Sequence, residues 1–347
     1  QLLNKGLYTV DGMTFGVESY KFGAEQVYNG VVLFFNKSML EREGLWDDYN
    51  LYDMQRNKTW TWDALDEVAF KVTKDKDGDG EVDQYGMIYH SRASPGFNSS
   101  NSNGGLGWGW YEVDENGTPV FRGREPERIK VLKYFYDMGT AGRGWFRYVE
   151  TGSEVDLIPR TEFTSGRAFS IVNYGNAIEV FKEMGMQDTL GVVAVPMGPD
   201  NTKREYYVSR KHFAVYMMPR SIEHPRQAAR VLYELSRPLY SQEESEVAIE
   251  ATLADLIGGE EEIIETFKML SQPERRAITK ENPIVATWNG SIASYHGSFP
   301  AIIQGAVTPE ELNDMYGDQI QTFINDWWGN VLEGAERIKK KREEGKW

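Results

Sequence analysis

The chain of 347 residues is long enough for two domains of ordinary size, and its 40% hydrophobic content can supply a core for each. A formal net charge of −15 argues against nucleic acid as a partner, because phosphate binding depends on Lys and Arg. The absence of cysteine removes disulfides and thiolate catalysis, and no apolar run is long enough to span a bilayer.

LYTVDGMTFGV, near the N-terminus, alternates short β-type segments, with Asp11-Gly12 between them as a hairpin turn. Residues 30–36, GVVLFFN, form a continuous apolar run rich in β-branched and aromatic types, which predicts a buried strand. KSMLEREGLWDD predicts a short helix closed by Gly44. In TWTWDALDEVAFKVTKD, Thr61 can cap a helix with Leu65, Val68, Ala69 and Val72 on one face, and Trp60 and Trp62 are expected to anchor it by packing.

The run DKDGDGEVDQYG follows and has the spacing of a calcium loop. Asp75, Asp77 and Asp79 take its first, third and fifth ligand places, Glu81 offers its backbone carbonyl at the seventh, and Asp83 falls at the ninth. Gly78 and Gly80 allow the turn that gathers the carboxylates, whose mutual repulsion a cation would relieve. Gly86 stands where a sensor hand has its bidentate Glu, and no second loop follows, so the expectation is a structural Ca2+ site and not a switch. The alternative is an acidic, solvated turn without an ion.

GMIYH predicts a strand, and residues 91–109, SRASPGFNSSNSNGGLGWG, read as a long polar, Gly-rich loop. Its glycines do not join a strand directly to a helix, so they are no dinucleotide fingerprint. A helix is predicted from Pro126 to Met138, a helix end, turn and strand in EFTSGRAFSIVNYGN, and a buried strand in GVVAVPMG. HFAVYMMP predicts a strand, HPRQAARVLYELSRP an amphipathic helix with Pro225 in its first turn, and Thr308-Pro309-Glu310-Glu311 a capping box before a long C-terminal helix. Trp327 and Trp328 on that helix point to different sides, at least one of them toward the core. The pattern is α/β.

The four histidines, His90, His212, His224 and His296, have no metal-ligand spacing, and no Asp or Glu lies in a catalytic-looking context. A calcium-stabilised glycoside hydrolase is the enzyme alternative, since it would share the aromatics and needs two opposed carboxylates among 53 acidic residues. A calcium-stiffened adhesion module would explain only the acidic loop.

TVDGMTFGV, VVLFFNKSMLEREGL, NKTWTWDAL, DKDGDGEVDQYGM, EFTSGRAFSIVNYGN, GVVAVPMGP and PRSIEHPRQAARVLYELSRP occur in an order that resembles the solute-binding proteins of carbohydrate ABC importers, the group that includes maltose-binding protein. The resemblance covers nearly the whole chain. It implies a two-lobed, type II periplasmic-binding-protein-like α/β fold, with 1–28 and 209–282 in the first lobe and 29–208 and 283–347 in the second. The family's opening segment has no counterpart before Gln1. The first lobe is therefore expected to be incomplete, with an unfilled sheet edge beside residues 1–30 or another chain filling it.

The resemblance further implies chain crossings near Tyr28, near Ser209 and between Ser271 and Asn282. The implied cleft residues are Tyr20 and Gln26 before the first crossing, Trp108 and Trp110 in the long loop, Asn173, Tyr174 and Asn176 in NYGN, Ser209 and Arg210, and Trp288 and Tyr295. Asn176 stands where many relatives carry a stacking Trp, and SRKHF from Ser209 replaces a Gly-rich turn. A saccharide offers hydroxyls and apolar C–H faces, so aromatics for stacking and amides or Arg for hydrogen bonds suit it. Trp108 and Trp110 can alternatively anchor the loop, and Arg210 can pair with an acidic sugar or with a carboxylate of the chain. The implied function is capture of a saccharide, an oligosaccharide by the aromatic supply of the chain, and delivery to an ABC permease. The expected protein is a monomeric, extracellular or periplasmic receptor, not an enzyme, with membrane association only through a lipoprotein anchor outside this sequence.

Overall fold

The computed structural model describes residues 9–10, 13–14, 17–18, 30–103, 111–114, 118–140, 144–149, 154, 156–209, 215–216, 223–236, 241–257, 260–275, 295 and 298–345. Strands β1 (Thr9–Val10) and β2 (Met13–Thr14) pair antiparallel on either side of Asp11-Gly12, as that dipeptide predicts. β3 (Val17–Glu18) leads to β4 (Val31–Asn36), all of whose residues are buried.

Asn36 ends β4 and caps α1 (Lys37–Arg42), its side chain accepting the Met39 N–H at 2.8 Å; Gly44 then turns the chain away with φ +67°. α2 (Leu51–Arg56) is capped by Asn50 and α3 (Trp62–Val72) by Thr61, and α3 buries the predicted stripe of Leu65, Val68, Ala69 and Val72. The two anchors are as expected: Trp60 donates its indole N–H to the Ala194 carbonyl at 2.9 Å, and Trp62 stacks on Tyr134 with centroids 4.3 Å apart. β5 (Tyr85–Ile88) passes so close to α3 that a Cβ at Gly86 would lie 2.5 Å from that of Ala69.

The next element departs from the sequence reading. Residues Ala93–Asn101, expected as loop, form a fully buried helix, α4. Its Ser, Asn, Pro and Gly content is poor for a helix, but Pro95 lies in the first turn, where a missing N–H costs nothing. A Cβ at Gly96 would come within 3.0 Å of Val31 and Val195, so glycine lets the helix sit down on the sheet. Once buried, its backbone must bond internally, and that requirement overrides propensity.

The hairpin β6 (Tyr111–Val113) and β7 (Pro119–Phe121) precedes α5 (Pro126–Thr140), β8 (Phe146–Arg147), α6 (Leu157–Thr164) and β9 (Ala168–Tyr174). Then come α7 (Ala177–Glu183), β10 (Leu190–Val193), β11 (Val215–Tyr216), α8 (Pro225–Ser236), α9 (Gln242–Ile257) and α10 (Glu261–Ser271). A 3-10 turn at Pro273–Arg275, α11 (Phe299–Ile303) and the 35-residue α12 (Pro309–Glu343) complete the described elements. The capping box at Thr308 and Glu311 forms as predicted. No helix among the described residues is long and apolar enough to cross a membrane.

The main sheet has the order β10-β4-β9-β5-β8, with β4 antiparallel to both neighbours and β9, β5 and β8 mutually parallel. Phe34 and Phe35 are neighbours on β4 and so face opposite sides. Phe34 packs edge-to-face on Phe181 of α7, which in turn meets Phe163 of α6, while Phe35 packs on Trp46 and on Tyr52 of α2. Helices thus cover both faces.

At one end of this sheet three separate stretches of chain meet. Val31 donates to the Ser209 carbonyl at 2.8 Å, Val208 to the Arg275 carbonyl at 2.9 Å, and Gly175 to the Gly30 carbonyl at 2.8 Å. Glu205 accepts from Lys58 at 2.5 Å and also from Arg275. Beyond this junction β11 pairs antiparallel with β3, so residues 17–18 and 215–216 are joined. The segment 261–271, grouped by the sequence reading with the first lobe, lies against β10 and α2, with Gln55 donating to Thr266 at 2.9 Å and Arg56 paired to Glu265.

Candidate functional site

β5, β9 and β8 are parallel, so their carboxyl ends come out together, beside the start of β4 and the junction at Ser209. In open α/β sheets this is the end at which ligands bind. His90 and Arg92 follow β5, Tyr148 follows β8, and Asn173 and Tyr174 close β9. Arg92 lies over the Tyr174 ring, 4.9 Å from its centroid. Its guanidinium also stands 4.0 Å from Asp156, which Arg160 approaches to 3.9 Å from the next turn of α6.

His90 is fully buried and accepts the Arg92 N–H on Nδ1 at 3.2 Å. Its proton is therefore on Nε2, which sits 2.9 Å from Asp156 Oδ1. Burial pushes the imidazole below 6.5 despite the neighbouring carboxylate. The contact with His90, aided by Arg160 and Arg92, holds the Asp156 carboxyl down to about 2 against the opposing effect of burial. The pair is thus a neutral imidazole beside an ionised carboxylate. Burial raises the Tyr174 phenol above its ordinary value, so it too is neutral.

Of the residues implied for the cleft, the structure brings Asn173, Tyr174 and Ser209 to this end of the sheet. Asn173 is sealed; its Oδ1 accepts the Tyr174 N–H at 2.8 Å and its Nδ2 has no partner. Ser209 is equally buried with an unpartnered Oγ. Asn176, half-buried, precedes α7 and makes no side-chain cap bond. Tyr295 is elsewhere: it is 1% exposed, its ring meets Phe121 edge-to-face at 5.5 Å, and its hydroxyl lies 3.2 Å from Asn313 Oδ1. A ring enclosed by β7 and α12 has no free face for a sugar, which corrects the expectation of stacking there. Tyr20, Gln26, Trp108, Trp110, Arg210 and Trp288 lie outside the described residues.

The sequence reading missed His90, Arg92, Asp156 and Asn98. Asn98, 1% exposed, has both amide atoms without a partner, and it sits on α4 opposite Gly96, turned away from the sheet. The one sequence signal for it was the density of Ser and Asn in a run that proved helical. Nothing local linked His90 with Asp156, because α4, the β6–β7 hairpin, α5 and β8 lie between them in sequence.

The acidic loop stands apart from this site, after α3. Gly78 and Gly80 have φ of +79° and +96°, and their N–H groups reach the Asp75 carboxylate at 2.6 and 2.8 Å. Those bonds lower the Asp75 pKa, that from Gly80 most. Asp75, Asp77 and Asp83 each place an oxygen within 4.8 Å of the others. Two oxygens bound to one Ca2+ at the typical distance of roughly 2.4 Å are at most 4.8 Å apart, and these three meet that condition, so the donor set is compatible with that ion. Asp79 is outside the group and accepts the Glu81 N–H at 2.8 Å.

A mixed sheet covered by helices on both faces is consistent with the α/β fold of the type II periplasmic binding proteins. Among solved structures, the cyclic α-maltosyl-1,6-maltose binding protein from Arthrobacter globiformis is similar at 16% identity and a TM-score of 0.60, over 94% of this chain and 76% of that one. An ABC substrate-binding protein from Listeria monocytogenes in complex with cycloalternan is similar at 15% identity and a TM-score of 0.57, over 93% and 76%. The maltose/maltodextrin-binding domain from Bdellovibrio bacteriovorus bound to maltotriose gives 15% and 0.54, over 94% and 76%. No curated protein matches the sequence. Residues 8–241 match the family of bacterial extracellular solute-binding proteins, and the chain belongs to that family.

Proposed function

We propose that the chain is the receptor of an ABC importer that captures a saccharide at the carboxyl ends of β5 and β9 and hands it to the permease unchanged. The observation that carries this is the convergence of Arg92, Tyr174, Asn173 and Ser209 beside the junction of three chain segments, in a member of a solute-binding family. The maltotriose, the cycloalternan and the cyclic maltosyl-maltose of the three structurally similar proteins support the ligand class. In this reading the stretches through residue 30, Ser209 and Arg275 are the crossings between lobes, and Trp108, Trp110 and Trp288 supply stacking faces. The same reading takes the protein as a monomer held outside the cell, by a lipid anchor where the source has one, with one structural Ca2+ on Asp75, Asp77, Asp83, Asp79 and the Glu81 carbonyl.

The test is thermal unfolding and calorimetry across neutral and acidic oligosaccharides. A ligand present at 100 times its Kd stabilises the native state by about 2.7 kcal/mol, a rise of several degrees in Tm. Chromatography of the sugar after long incubation checks the other half of the proposal. Turnover at about 1 per second or faster would replace the receptor by a hydrolase.

A further inference from the structure

At the junction of the three chain segments, three cations meet one carboxylate. Lys58, in the turn after α2, lies 2.5 Å from Glu205 Oε2, and Arg275 donates to that same oxygen. Arg204, one residue before Glu205, donates from its guanidinium to the Lys58 carbonyl at 2.5 Å. Arg204 and Arg275 are both close enough to repel the Lys58 ammonium. Glu274, next to Arg275 in sequence, makes no ion pair with any of the three, so among the described residues Glu205 is the one carboxylate that meets them. It neutralises one charge and leaves two, in a chain whose net charge is −15. Water relieves that excess only in part. The Lys58 and Arg275 side chains are 37% and 18% exposed, and Arg275 Nε is buried with no acceptor. Like charges so confined are costly until an anion joins them. The backbone is held at a cost in the same place: Lys58 and Arg204 have φ of +59° and +50°, in the left-handed region that residues other than glycine rarely adopt.

We propose that this corner binds a tetrahedral oxyanion, a phosphate or sulfate group, on the exposed donors of Lys58 and Arg204 with Arg275 behind them. A doubly charged anion matches the excess of two. Guanidinium groups present forked donors that suit phosphate and sulfate oxygens, and the Lys58 ammonium adds a point charge. The cations come from the turn between α2 and α3, the turn around Arg204 and the 3-10 turn at Pro273–Arg275. An anion held by all three therefore fastens stretches that are far apart in the chain. Val208 donates to the Arg275 carbonyl, so the fastened corner adjoins the segment that runs through Ser209. A dissolved ion and the phosphate of a lipid headgroup share this chemistry. None of the three cations is among the residues at the carboxyl ends of β5 and β9, so the site does not depend on the saccharide reading.

The experiment is thermal unfolding and calorimetry of the full chain in chloride at constant ionic strength. The probes are sodium sulfate, sodium phosphate and vesicles of phosphatidylglycerol in phosphatidylcholine. At least one dissolved anion should raise Tm along a saturating curve, by several degrees at about 100 times its Kd. Arg204→Gln and Lys58→Gln should each weaken that anion by about 10- to 100-fold, as loss of a charged hydrogen-bonding partner does. Glu205→Gln should act in the other direction, because it removes the carboxylate that competes with the anion. Arg204 is exposed, so its replacement leaves the packing intact even if the other variants lose stability. General stabilisation by sulfate, through its exclusion from the protein surface, does not saturate and is the same in wild type and variants. Vesicle binding that Arg204→Gln abolishes, with no effect of either dissolved anion, would assign the same site to a lipid phosphate. A Tm rise linear in anion concentration, binding equal in wild type and both cation variants, or no binding of any of the three probes would overturn the inference. No saccharide enters these measurements, so the receptor reading stands or falls separately.

Discussion

His90 is a titratable group sealed in the protein, and its burial makes stability depend on pH. Its folded-state pKa lies below 6.5, so between the two values the unfolded chain takes up the proton more readily. Stability is therefore full above 6.5, declines as pH falls through that value, and levels off below the native one. Asp156 acts lower, its contribution present above 3.8 and lost as pH falls toward about 2. Tm measured from about pH 8 to 5 should fall in the wild type and fall less in His90→Gln. A flat wild-type curve would contradict the burial account. Tyr295 allows a second single-residue test. Tyr295→Ala empties a core site and should cost about 3 to 5 kcal/mol in urea unfolding, while Tyr295→Phe, which keeps the ring and loses the Asn313 contact, should cost about 1. Sugar affinity of the folded Phe variant should be unchanged.

Among the elements, those with local causes were legible. The caps at Asn36, Thr61 and Thr308, the hairpin around Asp11-Gly12 and the buried run of β4 all follow from residues within a few positions of one another. Helix α4 was not legible, because what makes it helical is its burial against Val31, Val172 and Val195, all distant in sequence. The acidic loop was read from spacing alone, and its Asp75, Asp77 and Asp83 oxygens do converge. Chelation of a calcium-loaded sample should lower Tm and leave sugar affinity within error, and Asp75→Asn should abolish the chelator effect. Calcium that leaves Tm unchanged on titration into chelated protein would refute the site. On α12, Gly329 and Gly334 lie mid-helix with no close neighbour at the Cβ position. Changing each to Ala should therefore stabilise by roughly 0.5 to 1 kcal/mol, readable as a shifted urea midpoint at constant m.

For the whole molecule, the order of weak sequence signals was enough for the fold and the family, because that order reflects the wiring of the sheet. The site was only partly legible. Asn173, Tyr174 and Ser209 were named from the family resemblance and stand at strand ends, whereas the His90, Arg92, Asp156 and Arg160 group exists only once β5 and α6 are brought together.

α12 runs unbroken for 35 residues, about 52 Å at 1.5 Å per residue. It packs against β7 and α5 and also against β1. A continuous helix neither stretches nor shortens, so the N-terminal hairpin and the body that carries the main sheet rest on one common rod. α12 is thus the common support against which both the hairpin and the sheet body are placed.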